Sequence, residues 1–166
     1  MNIPLTSPLN DYLENKKKID ISIKKVLKSG SYLMGQESKK FEQEFSKYIG
    51  SKHCVSCKNG TDALYISLKC LNVGPGDEVV LPSHTAVATC SAIIMTGAKP
   101  IFVDIDPIYY TIDPSKIKNV INNRTKVIIA VHLYGQAAEI NTINKIAKEK
   151  KIQVIEECAQ SLGSNF

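Results

Sequence analysis

The 166-residue chain is 43% hydrophobic with a formal net charge of +5, apolar enough for one cored domain. That charge comes from twenty lysines and one arginine, Arg124, dispersed over helical segments with no arginine-rich or aromatic-interleaved face, which argues against a nucleic-acid partner. Five cysteines, an odd number, sit mostly inside apolar runs (Cys54, Cys70, Cys90, Cys158) and no apolar stretch approaches the ~20 residues of a membrane span, so a soluble cytoplasmic protein without a disulfide framework is expected.

Residues 11–28 carry Ile19, Ile23 and Val26 among lysines, the spacing of a helix with one buried stripe, and Ser29-Gly30-Ser31 stops it. A second amphipathic helix is predicted over 37–49, with Phe41, Phe45 and Tyr48 on one face and Gly50 as its C-terminal cap. The pattern then changes to short β-branched runs at 53–56, 78–81, 100–103, 126–131 and 152–155. Between them lie helical segments at 62–71, 87–95, 114–121 and 139–148. Repeated strand-helix-strand units predict an α/β fold whose mostly parallel sheet is covered by helices on both faces. The wholly apolar run Val127 to Val131 is what such double covering requires. Gly74-Pro75-Gly76-Asp77 and Asp104-Ile105-Asp106-Pro107 read as turns.

Ligands of open parallel sheets sit beyond the carboxyl ends of the strands. That rule selects the segments 58–62, 82–86, 132–136 and 156–161. In the first, Asn59-Gly60-Thr61-Asp62 follows a strand run and opens a helix, so free backbone N–H groups, the Thr61 hydroxyl and the helix dipole could cradle a phosphate; simple capping by Asn59 or Thr61 is the competing reading. In the last, Glu157 and Gln160 stand three residues apart, within one turn, and a carboxylate there could pair with a protonated ring nitrogen; a surface acid at a strand end is the alternative. His84, Thr85, His132 and Tyr134 also fall on this edge, but residue type alone assigns them no role. Cys54 and Cys57 form a C-x-x-C with no second pair at zinc spacing, and the first lies in an expected buried strand, so neither a metal nor a redox site is expected.

Taken in order, Ser29 to Gly35, Phe41 to Phe45, Asn59-Gly60-Thr61-Asp62-Ala63-Leu64, Gly76 to Val80, Pro82-Ser83-His84-Thr85, Phe102 to Pro107 and His132-Leu133-Tyr134-Gly135-Gln136 resemble the DegT/DnrJ/StrS family of sugar aminotransferases that depend on pyridoxal 5′-phosphate (PLP). The resemblance implies part of a fold-type I large domain, with residues 1–50 as an N-terminal helical segment and 51–166 as the incomplete PLP-binding portion. It implies a homodimer, a nucleotide-linked keto-sugar as amino acceptor and an amino acid, usually glutamate, as donor. Carried over by position, Gly60, Thr61 and Asp62 hold the cofactor phosphate, Glu157 pairs with the ring nitrogen and Gln160 lies on the phenolic-oxygen side. This chain departs from the family at Glu157 and at a further cofactor-facing position, Ala86. Glu157 stands where Asp is usual, so the acid must fold back or the ring shift; Ala86 stands where an aromatic usually stacks on the cofactor, leaving stacking to another residue such as His84.

The family's Schiff-base lysine lies downstream of the Glu157 to Gln160 motif, and no lysine within these 166 residues is a good substitute, so no catalytic residue is assigned. The expectation is an N-terminal fragment, poorly stable and inactive by itself. Three alternatives stay open: a non-catalytic protein that keeps the pocket as a binding or regulatory module, part of a sibling PLP-dependent sugar dehydratase, and an ordinary nucleotide-binding α/β domain. The last would want a G-x-G-x-x-G turn after its first strand, which is missing.

Overall fold

A computed structural model describes residues 6–164. The chain divides into two compact units, one within its first 56 residues and one from Cys57 onward.

The first unit holds α1 (Pro8–Ser29) and α2 (Gln36–Ile49). Pro8 opens α1, where its missing N–H and fixed φ cost nothing. Gly50 ends α2 at φ 74°, a left-handed cap that lets Ser51 N–H reach back to the carbonyl of Ser46 at 2.9 Å. The apolar stripes the periodicity predicts are present but not buried: neither helix has a buried residue, and Leu27 and Phe41 are 59% and 52% exposed. Among the described residues of this unit only two helices are available to cover each other, which is too thin a layer to enclose side chains on both. The run 53–56 is likewise no strand. Among the described residues it has no ladder partner, Val55 is exposed and Cys54 only half-buried, because β-propensity without a neighbour to bond leaves a loop. What holds its end is Glu42, whose Oε1 accepts from both Ser56 N–H (2.8 Å) and Ser56 Oγ–H (2.6 Å).

The second unit runs α3 (Gly60–Cys70), β1 (Glu78–Pro82), α4 (Val87–Met95), β2 (Lys99–Val103), α5 (Pro114–Val120), β3 (Thr125–Val131), α6 (Ile140–Lys150) and β4 (Gln153–Glu157). The strands form one parallel sheet in the order β2-β1-β3-β4. Side-chain alternation sorts the interior into two cores. Val79, Leu81, Val127, Ile129 and Val131 pack under α3 and α4 with Leu64, Leu68, Ala92 and Ile93. Val80, Ile128 and Ala130 pack on the opposite face under α5 and α6 with Ile117, Ile143, Ile146 and Ala147. β1 is therefore buried along its whole length, and β3 everywhere except Lys126. Each such isoleucine or leucine contributes about 1.5–3 kcal/mol of burial. Cys70 and Cys158, placed by the sequence in apolar runs, are exposed: Cys70 closes α3 and Cys158 lies past the end of β4.

Parallel pairing puts every strand's carboxyl end on one edge. α3 leads into β1 through a short turn and so runs antiparallel to it, which brings its N-terminus to that same edge, where α4 also begins. On the opposite edge Glu78, 2% exposed, accepts from Arg124 Nη2 and from Asn122 Nδ2, both at 2.7 Å. Among the described residues no helix is long and apolar enough to cross a membrane.

Candidate functional site at the carboxyl edge of the sheet

Asn59 caps α3: its Oδ1 accepts from Asp62 N–H at 2.8 Å and its carbonyl from Ala63 N–H at 3.0 Å. The cap reading of the sequence is thus realised, and it narrows what the turn can offer an anion. Gly60 and Thr61 head the helix without i−4 carbonyl partners, so their N–H groups point out of the helix at the positive end of the dipole, and Thr61 itself is half-buried. A Cβ built on Gly60 would meet nothing within 4 Å, so the space above this turn is open to a ligand. Asp62 has given its N–H to the cap, and its carboxylate stands in the first turn.

Glu157 closes β4. Ile155, two residues earlier, packs with the α3/α4 core, and Val154 with the α5/α6 core. Strand alternation therefore sends Glu157 to the face that carries the α3 turn, and Glu156 to the other. Glu156 Oε2 accordingly meets His132 Nε2 at 3.0 Å, while His132 Nδ1 accepts from Ala138 N–H at 2.9 Å, which makes Nε2 the protonated nitrogen of a neutral ring. The half-buried Glu157 folds back so that Oε1 accepts from Ala159 N–H at 2.8 Å, and Oε2 has no partner among the described residues. Burial, and then the charges of Glu156 and Glu157, push the neighbouring Cys158 thiol above its ordinary range.

Three further residues join this edge. Tyr134 N–H donates to Gln160 Oε1 at 3.2 Å. The Tyr134 hydroxyl meets His84 Nε2 at 3.1 Å, and the His84 ring lies 5.9 Å from that of Tyr134 and 6.3 Å from that of Tyr110. Both tyrosines have left-handed backbones, φ 57° for Tyr134 and 59° for Tyr110, a conformation costing on the order of 1–2 kcal/mol outside glycine. Ser161 Oγ–H to His132 O (2.9 Å) and Ser164 Oγ–H to Gly135 O (3.0 Å) fasten the turn after β4 to the turn after β3. Ala86 sits exposed just before α4 and presents one methyl group. The sequence named Tyr134 without a role and His84 only as a residue that could stack in place of Ala86, and it missed Tyr110; a left-handed tyrosine has no signature in residue type.

The residues selected from the sequence, Gly60, Thr61, Asp62, Ala86, Glu157 and Gln160, thus all belong to the carboxyl edge of one unit. A cleft of about 460 Å³ on the other face, lined by Asp113, Lys118, Thr142, Lys145 and Glu149, contains none of them. Among the described residues no His, Cys, Asp and Glu cluster could hold a metal ion.

The DegT/DnrJ/EryC1/StrS aminotransferase family model matches residues 14–166. Over 157 residues the chain is 47% identical to UDP-2-acetamido-2-deoxy-3-oxo-D-glucuronate aminotransferase of Pseudomonas aeruginosa, a match covering 95% of this chain and 44% of that protein. The crystal structure of S. venezuelae DesV superposes with a TM-score of 0.95 at 37% identity, covering 97% of this chain and 43% of that one. NtdA from Bacillus subtilis, solved with bound cofactor PMP, gives 0.87 at 38% identity, covering 93% and 35%. The chain therefore spans less than half the length of these relatives.

Proposed function

The chain belongs to the DegT/DnrJ/EryC1/StrS aminotransferase family, and on that premise we propose that its carboxyl-edge site binds pyridoxal 5′-phosphate in the service of amino transfer to a nucleotide-linked keto-sugar. One placement supports this reading. The open N-terminal turn of α3 and the free oxygen of Glu157 lie on the same face and the same edge of the sheet, as one ligand with an anionic and a cationic end requires.

When bound, this cofactor supplies an electron sink for carbanion chemistry at the amino-bearing carbon. Gly60 and Thr61 would hold its phosphate through their N–H groups and the Thr61 hydroxyl, with Asp62 keeping the turn in shape through the Asn59 cap. Glu157 Oε2 would keep a proton on the ring nitrogen, Gln160 would approach the phenolic oxygen, and Ala86 would leave one ring face only lightly covered. The same proposal takes glutamate as amino donor, a homodimer as the working assembly, and a covalent anchor that is none of the lysines of these 166 residues. It also divides the chain into a helical segment to residue 50 and a cofactor-binding part from 51. The five free cysteines favour a reducing cytoplasmic setting.

Gly60→Ala tests the reading directly. The added methyl meets no protein atom and sits at the head of a helix, where alanine is at least as well tolerated, so folding is expected to be unchanged. It does, however, enter the space a phosphate would fill. Titrating the chain with PLP and following absorbance and fluorescence should give saturable binding that Gly60→Ala weakens about ten-fold or more, equivalent to ~1.4 kcal/mol, with the thermal midpoint unmoved. No saturable binding, or equal binding by the variant, would sink the assignment.

A further inference from the structure

Resting on the cofactor reading above, we propose that His84 and Tyr134 are positioning residues that fix which end of the Gln160 amide faces the bound ring. A backbone N–H can only donate. Because Tyr134 N–H points at the Gln160 side chain, the atom it meets must be the carbonyl oxygen, and the amide's two N–H groups are turned elsewhere. Gln160 is thereby set as a donor, the polarity that suits an ionised phenolic oxygen and not a protonated ring nitrogen. Glu157, an acceptor, is left for the latter.

The Tyr134 N–H points this way because of an unusual turn. Tyr134 and Gly135 both have positive φ, 57° and 81°, and Gln136 N–H returns to Leu133 O at 2.9 Å, the geometry of a type I′ turn with tyrosine where asparagine or glycine is usual. The tyrosine ring, 68% exposed, has no core to hold it. What it has is the His84 imidazole, reaching from the end of β1 to its hydroxyl, with the Tyr110 ring also beside the imidazole. The resulting strap, His84 to Tyr134 to Gln160, links the ends of β1, β3 and β4 and ends on the amide that is to meet the ring. A tyrosine retained in a conformation that asparagine would adopt more readily is explained if its hydroxyl is the tether.

The test has two arms. Without cofactor, hydrogen exchange of the Tyr134 amide should be slow in the wild-type chain, lose most of its protection in Gln160→Ala, and quicken several-fold in Tyr134→Phe and His84→Phe, which keep the rings and remove only the tether. With PLP, Tyr134→Phe and His84→Phe should each weaken binding three- to ten-fold and shift the bound absorbance toward the neutral-phenol form. Gln160→Glu, which still accepts from Tyr134 but cannot donate, should do at least as much. Tyr134→Phe added to Gln160→Glu should bring little further loss, because both act through the same contact. An unprotected Tyr134 amide, unchanged spectra in the tether variants, or full additivity overturns the inference. If the wild-type chain fails to bind PLP, the cofactor reading falls and this inference with it, whereas wild-type binding with unmoved variants overturns this inference alone.

Discussion

Glu42 holds the extended segment before the second unit with a single carboxylate oxygen, and the bond is tunable by pH. The Ser56 hydroxyl first, and then its backbone N–H, hold the Glu42 carboxyl below the ordinary value of 4.5. A depressed folded-state pKa means the tether is fully present above that value and is lost as pH falls through the lower, folded one. Protection of the Ser56 amide, expressed relative to its intrinsic exchange rate, should therefore hold from neutral pH to about 5 and decline below it. Glu42→Gln should flatten the profile; a profile that survives the substitution would place the protection elsewhere. Nothing in the sequence marks this pair, since the two residues are fourteen apart and neither belongs to a recognisable motif. Glu157 and Gln160 were legible by contrast because spacing within one turn after a strand is a local property. Tyr110 was not, and Tyr134 was named without a role, because a left-handed backbone angle at a tyrosine leaves no mark in residue type.

At the level of elements, periodicity located all six helices and the four paired strands: in the second unit because the buried faces are apolar runs, and in α1 and α2 because apolar stripes recur at helical spacing although they are not buried. Residues 53–56 mark the limit of that logic: they have the composition of a strand and lack the neighbour that would make them one. What composition does not reveal is how the start of β1 is joined to the loop before β3. Glu78 is buried with its charge answered by Arg124 and Asn122, and Glu78 N–H donates to Arg124 O at 2.8 Å. Removing the guanidinium leaves a buried carboxylate with one neutral donor. Because the Arg124 side chain is itself 61% exposed, the loss should fall short of that for a fully buried pair, at about 1–3 kcal/mol. Urea unfolding of Arg124→Ala should show that drop. Replacing Glu78 by Gln in the same background should recover part of it, because the uncompensated charge is then gone; a double variant no more stable than Arg124→Ala would mean that the cost lies in packing by the arginine stem.

At the scale of the whole chain, the two units differ in what they bury. The second encloses two cores around β1 and β3, whereas α1 and α2 leave Leu9, Leu13, Leu27, Phe41 and Tyr48 each more than half exposed. Half-exposed side chains in such number on two adjoining helices exceed the scattered apolar residues of an ordinary soluble surface, and water contact at roughly 25 cal/mol per Å² favours covering them. The net charge of +5 opposes association only weakly, since at physiological salt it is screened within about 8 Å. The 166-residue chain should therefore bind a hydrophobic dye and sediment as more than a monomer at tens of micromolar. Leu27→Lys with Phe41→Lys should reduce both effects severalfold while leaving far-ultraviolet circular dichroism unchanged, because neither residue is buried and lysine is a good helix former. Association that persists undiminished in that double variant would shift the cause to the sheet edges, β2 and β4, each paired on one side only among the described residues; β4 is the one to test first. The discriminating measurement is then Gln153→Lys, at an exposed position of that edge strand, which should leave dye binding by α1 and α2 intact while reducing self-association.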